Sequence, residues 1–279
     1  MEKFRLDNSF EASYSSTMDA TFKHPFTMVI AGPSGSGKST FAEQFLLKRD
    51  ELIDKKFDYI YFIIGTEIKQ NKIFSDLVLN LRQEISKVHV IELNNSGYYA
   101  DNKKNIDINF FKDLQTSLRK HHSAQENGCV IFDDLMQELV QSSNILVKCF
   151  TVISTHYSVS FIYITQNLFS SGSGKSTSDM LTVYRNTKYL VLFPSEMDMS
   201  SLTLVVRKMG PGGKKNEILK EMLSEIMSEN RYVIIRSDKS DLRYMSDLFG
   251  EKSFSKRGED KLRYIKVFTP IFNTDKHRN

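Results

Sequence analysis

Short apolar runs alternate along this chain with longer stretches whose apolar residues recur every three or four positions. Segments 27–31, 59–64, 88–92, 129–132, 161–165, 189–193 and 232–235 are continuous, apolar and rich in Val, Ile, Tyr or Phe, which predicts strands. Segments 40–49, 73–84, 109–121, 136–155 and 216–229 carry the helical period. Continuous apolar strands separated by helices predict an α/β fold with a mostly parallel sheet covered on both faces. Ligands of such sheets bind beyond the carboxyl ends of the strands. Residues 1–22 are polar and aperiodic and read as a flexible lead-in to a domain over 23–240, with a basic tail over 241–279. Residues 93–105 form a polar insertion, most simply a surface loop.

The first strand runs into Gly32, Pro33, Ser34, Gly35, Ser36, Gly37, Lys38 and Ser39, which fit G-x-x-x-x-G-K-[ST]. Thr40 and the next residues follow with Phe41 and Phe45 four apart on one helical face. Strand, glycine-rich loop and helix are the context of a phosphate cradle. The glycines let backbone N–H groups close around an anion, and the helix N-terminus adds its dipole. Lys38 would reach the β- and γ-phosphates, and the Ser39 hydroxyl would ligate Mg²⁺. Residues 171–177 repeat the heptapeptide of 34–40, but Phe169 stands where the leading glycine should be. With a Ser-rich stretch after it, 169–178 reads as a flexible loop, with contact to phosphate or DNA backbone as the lesser reading.

Phosphoryl transfer also needs a carboxylate near the metal and a group that positions the attacking water. Segment 129–134 ends an apolar strand in Asp133 and Asp134. Asp133 would hold Mg²⁺ through its waters, and Asp134 would polarise the attacking water. Capping of the following helix is the competing role for one of them. Gln166 ends the next strand, where it could hydrogen-bond the γ-phosphate or the attacking water.

The charge distribution adds a second polyanion signal. The net charge is +4, and residues 251–279 hold eight Lys/Arg against four Asp/Glu. Arg207, Lys208, Lys214 and Lys215 form an acid-free cluster among glycines. Either patch could face a polyanion, or be ordinary solvated surface. Cys129 and Cys149 sit in apolar surroundings and read as small buried hydrophobes of a reducing compartment. His121, His122 and His156 lack metal-ligand spacing. The longest apolar run, 59–64, is too short to cross a bilayer, and no secretory signal is expected.

Residues 25–38, Ile131-Phe-Asp-Asp-Leu-Met136, Ile164-Thr-Gln-Asn-Leu-Phe169 and Asn186-Thr-Lys-Tyr-Leu-Val-Leu-Phe193 together resemble the genome-packaging ATPases of the FtsK–HerA superfamily. The likeness is to the poxvirus-type members, as in Polinton/Maverick elements and adintoviruses, and it covers about residues 22–236. It implies a P-loop NTPase of the RecA/ASCE type that uses ATP and Mg²⁺ to translocate double-stranded DNA into a preformed capsid. By position, Lys38 and Ser39 would bind phosphate and Mg²⁺, Asp133 would be the metal acid, Asp134 the water activator and Gln166 the sensor. Asp134 stands where cellular members often have Glu. The resemblance further implies a homo-oligomeric ring, pentamer or hexamer, capsid or portal partners, and an arginine acting across the subunit interface. Arg185 and Arg207 both qualify for that role. The implied location is intracellular, in host nucleus or cytoplasm or with the particle. A P-loop kinase phosphorylating a nucleoside or other small molecule is the alternative, although 168–185, with a single Arg, makes a poor lid. A catalytically silent nucleotide switch is a third reading, disfavoured by the intact acid pair.

Overall fold

The computed structural model describes residues 3–6, 10–16, 21–65, 68, 71–93, 108–133, 135, 143–166, 175–193, 232–238, 241–246 and 264–270. In chain order the strands are β1 (Lys3–Leu6), β2 (Phe10–Ser16), β3 (Thr27–Ala31), β4 (Tyr59–Ile64), β5 (Lys87–Glu92) and β6 (Gly128–Asp133), then β7 (Val159–Thr165), β8 (Tyr189–Leu192), β9 (Val233–Asp238), β10 (Asp241–Ser246) and β11 (Tyr264–Pro270). The helices are α1 (Lys38–Leu47), α2 (Arg49–Leu52), α3 (Lys72–Glu84), α4 (Ile108–Ser123), α5 (Ser143–Lys148), α6 (Ser154–His156) and α7 (Lys175–Arg185). The chain divides into two units, Phe22–Leu190 and Met1–Thr21 with Val191–Asn279.

In Phe22–Leu190 the strand order is β3-β7-β6-β4-β5, and every pairing is parallel. All residues of β3, β4 and β7 are buried, as expected of strands covered on both faces. Edge strand β5 mixes buried and exposed positions. The start of β8 lies beside β3, where Lys188 N–H donates to the Thr27 carbonyl at 3.0 Å. After β3 the chain passes over two strand positions to form β4, and β6 and β7 later fill the gap. That order places the tip of β7 beside β3 and the tip of β6 one strand further, about 10 Å away.

Helix α1 docks through Phe41 and Phe45, whose rings are 6.2 Å apart. Phe45 meets Phe22 edge-on at 4.9 Å, and Phe26 and Tyr189 complete the cluster. Each fully buried Phe contributes on the order of 2 kcal/mol of hydrophobic stabilisation. Helix α3 buries Leu77, Val78 and Leu81. The buried Arg49 guanidinium donates to the Leu46 carbonyl at 3.0 Å and to Glu84 Oε2 at 2.5 Å, tying the C-terminal ends of α1 and α3 together.

Several expectations change. Helix 40–49 is α1 followed by the short α2, and it starts two residues earlier because Gly37 turns the chain at Lys38. Of segment 136–155, residues 143–155 form α5, a π-helical turn at Cys149–Ile153 and α6, while 136–142 lie outside the described residues. Segment 169–178 is not a loop throughout, since α7 begins at Lys175 as α1 begins at Lys38. Met180, Val183 and Tyr184 bury one face of α7, a period that the preceding Ser, Thr and Asp residues obscure in the sequence. Helix 216–229 falls outside the described residues. In the other unit, β1, β2, β11, β10 and β9 pair antiparallel in that order. Strands therefore occupy parts of the expected lead-in and of the expected tail.

Candidate functional site

The loop between β3 and α1 is shaped by two left-handed glycines, Gly35 at φ 76° and Gly37 at φ 102°. No atom lies within 4 Å of a Cβ built on Gly35, so the dihedral requires glycine there, not crowding. Another residue would cost about 1–2 kcal/mol at such an angle. Ser36 N–H closes a turn on the Pro33 carbonyl at 3.3 Å, and Gly32 N–H reaches the Thr165 carbonyl at 3.4 Å, tying the loop to the tip of β7. Gly37 caps α1 without any side-chain bond to the helix N-terminus. Those N–H groups, with the helix dipole, favour an anion.

Lys38 is buried, and its Nζ donates to the Pro33 carbonyl at 2.7 Å, within the loop that a phosphate would fill. Among the described residues the Ser36 hydroxyl is buried with no hydrogen-bond partner. A buried hydroxyl left without a partner is costly, and an oxyanion would relieve it. A cavity of about 410 Å³ opens over this loop. Ser34, Gly35, Gly37, Lys38, Ser39 and Thr40 line one side, and Asp133, Ile164, Thr165 and Gln166 bring in the tips of β6 and β7. A smaller apolar space of about 30 Å³ adjoins it, walled by Phe62, Phe74 and Leu77 between α1 and α3.

The fold thus brings Lys38, Ser39, Asp133 and Gln166 to one cavity from three segments spread over residues 38–166. Gly32 and Pro33 form the loop's entry without lining the cavity, and Ser36, its hydroxyl buried, does not line it either. Ser39 and Asp133 supply a hydroxyl and a carboxylate, hard oxygen donors that suit Mg²⁺. Asp134 and Arg207 lie outside the described residues. Arg185 ends α7, exposed, and is not part of the cavity wall. Two lining residues escape the sequence reading, Ile68 and Asn71, both between β4 and α3. Their signal is position after a strand tip, useful only once β4 is known to pair with β6.

Away from the cavity, His121 is a structural residue. Its ring stacks on Tyr59 at 3.8 Å, and its nitrogens meet Glu126 Oε2 at 2.6 Å and the Tyr61 hydroxyl at 3.1 Å. Burial pushes the Cys129 and Cys149 thiols well above the usual cysteine range, and both are free. His24, before β3, contacts Ser160 Oγ at 2.7 Å and the Ser158 carbonyl at 2.9 Å, and burial lowers its pKa to about 4. Among the described residues, no helix is long and apolar enough to cross a membrane.

Three solved structures are similar in outline. The genome packaging NTPase B204 of Sulfolobus turreted icosahedral virus 2, in complex with ATP-gammaS, is 15% identical over 79% of this chain and 96% of that chain, with a TM-score of 0.49. EssC (ATPases 2 and 3) from Geobacillus thermodenitrificans is 16% identical over 63% of this chain and 34% of its own, at 0.39. A KaiC-like protein from Pyrococcus horikoshii is 14% identical over 62% of this chain and 76% of its own, at 0.37. No curated protein sequence matches the chain. The phosphate-loop motif, the acid at the tip of β6 and the Gln at the tip of β7 meet at one cavity on a mostly parallel sheet, the fold of a P-loop NTPase of the RecA/ASCE type. The family described as Poxvirus A32 protein matches residues 15–245, so the chain belongs to that family and is a genome-packaging ATPase of the FtsK–HerA type that its motifs imply.

Proposed function

We propose that this chain is a motor that hydrolyses ATP to move double-stranded DNA into a viral or virus-like capsid. The observation that carries the reading is the single cavity joining Lys38 and Ser39 to Asp133 and Gln166 on a parallel sheet. A polyphosphate in the loop would receive the α1 N-terminal N–H groups and the Lys38 ammonium, which would leave the Pro33 carbonyl for the anion. Ser39 and Asp133 would hold Mg²⁺, which supplies charge neutralisation between the phosphates when bound. Asp134, the residue after Asp133, would take the proton of the attacking water. Gln166, exposed at the tip of β7, would orient that water or the terminal phosphate.

The DNA grip is assigned to the acid-free cluster of Arg207, Lys208, Lys214 and Lys215, where glycines permit close approach to a phosphate backbone. Ring assembly and capsid or portal partners belong to the same proposal, and family membership supports them. The test is ATP turnover with and without double-stranded DNA, with a nucleoside offered as phosphate acceptor. DNA-stimulated phosphate release with no phosphorylated acceptor is expected. Phosphate transfer to the nucleoside would make the chain a kinase and overturn the motor reading.

A further inference from the structure

Asn71 stands in the connection between β4 and α3, on the wall of the nucleotide cavity. No motif marks it. Its position follows from the sheet: β4 pairs with β6 in a register that sets Ile64 opposite Asp133, and Gly65 N–H continues the ladder to the Asp133 carbonyl at 3.3 Å. The chain leaving β4 therefore starts beside the metal acid. It reaches α3 on the side of Asp133 away from the phosphate-loop strand, since the order is β3-β7-β6-β4.

The hydrogen bonds of Asn71 fix it. Its backbone N–H donates to the Ile68 carbonyl at 3.0 Å, and its own carbonyl accepts from Ser75 N–H at 3.1 Å. Its Oδ1 accepts from Ile73 N–H at 2.9 Å, which makes it the N-cap of α3. The acceptor end of the carboxamide is thus used locally. The Nδ2 group, two N–H donors, has no hydrogen-bond partner among the described residues, and the residue is exposed and lines the cavity. A donor-only group held by local bonds on the wall of an anion cavity meets the requirement for preorganised recognition of phosphate oxygen. Asn71 lines the same cavity as the loop, the start of α1 and Asp133, from the connection that follows β4.

We propose that Asn71 is a γ-phosphate-binding residue whose Nδ2 donates to a terminal phosphate oxygen of ATP, so that the start of α3 registers triphosphate against diphosphate. The assignment rests on the nucleotide reading of the cavity. Two substitutions separate it from a capping role, because Asp and Gly are both tolerated N-caps while neither carries the amide donor. In the full chain, Asn71→Gly and Asn71→Asp are compared with wild type for equilibrium binding of a non-hydrolysable ATP analogue and of ADP, and for thermal melting. Both variants should melt close to wild type and bind ADP within about twofold of it. Affinity for the ATP analogue should fall about tenfold in Asn71→Gly, the scale of one hydrogen bond to a charged group, and further in Asn71→Asp, where a carboxylate faces the phosphate. Equal loss for both nucleotides, or no loss for the analogue, would overturn the assignment. A wild-type chain that binds neither nucleotide would overturn the underlying reading of the cavity, and this assignment with it.

Discussion

Asp133 ends β6 half-buried on the nucleotide cavity, and Asp134 follows it directly. As a proposed ligand acting through the metal's waters, Asp133 should tune metal affinity more than nucleotide affinity. Asp133→Asn is expected to raise the half-saturating Mg²⁺ concentration by about 10–100-fold, the usual scale for a group acting through the outer shell. Asp134→Asn should leave MgATP binding intact and lower turnover by about 10² or more. Metal titrations of turnover and nucleotide binding on both variants check the division of roles, and full turnover in Asp134→Asn would sink the assignment. His24 makes a second residue-scale prediction. Buried against Ser160 and Ser158, with Lys55 and Lys188 adding to its depression and Asp54 opposing it, it stays neutral in the fold down to about pH 4. The unfolded chain takes up that proton near pH 6.5. Stability from this group is therefore complete above pH 6.5 and falls as pH drops toward 4, by about 3 kcal/mol in total. Urea unfolding at several pH values should show that slope in wild type, and it should weaken in His24→Asn.

Helix α1 presents the phosphate loop only because its buried face holds it to the sheet. Phe45 is fully buried between Phe22, Phe26 and Phe41. Phe45→Ala should cost about 3–5 kcal/mol, read by chemical denaturation, and should weaken nucleotide binding through loss of α1 docking. An undisturbed midpoint would mean the cluster does not anchor the helix. Elements of this kind were legible in the sequence, because their periods are strong and local. The strands at 27–31 and 59–64 match β3 and β4 residue for residue. Helix α7 was hidden because its sequence opens with Lys, Ser and Thr before Met180, Val183 and Tyr184 mark a buried face. Strand β2 was hidden because its partner β11 lies some 250 residues away, and polar residues interrupt its alternation. The loop, Asp133 and Gln166 could be read because each sits at the end of an apolar run. Asn71 could not, since its role depends on β4 lying next to β6, an order that no local pattern encodes.

At the scale of the whole molecule, the proposed reaction asks for one more positive charge. Transfer of a phosphoryl group from ATP develops negative charge on its equatorial and leaving oxygens, and an arginine commonly meets it. Among the described residues no arginine lines the cavity, while Arg185 stands exposed at the end of α7. A guanidinium arriving from a second copy of the chain would complete the site, which links turnover to assembly. Turnover per chain should then rise with protein concentration. Arg185→Ala or Arg207→Ala, whichever supplies the guanidinium, should lose activity by about 10³. Mixed with wild type, that inactive variant still offers its own cavity to a wild-type neighbour but leaves the next cavity unserved. Each wild-type arginine thus still serves one cavity, so the informative mixture is that variant with Asp134→Asn, each nearly inactive alone, which should regain turnover while nucleotide binding stays constant. No regained turnover in that mixture, together with turnover per chain that is independent of concentration, would show each chain to be complete by itself and remove the need for a guanidinium in trans.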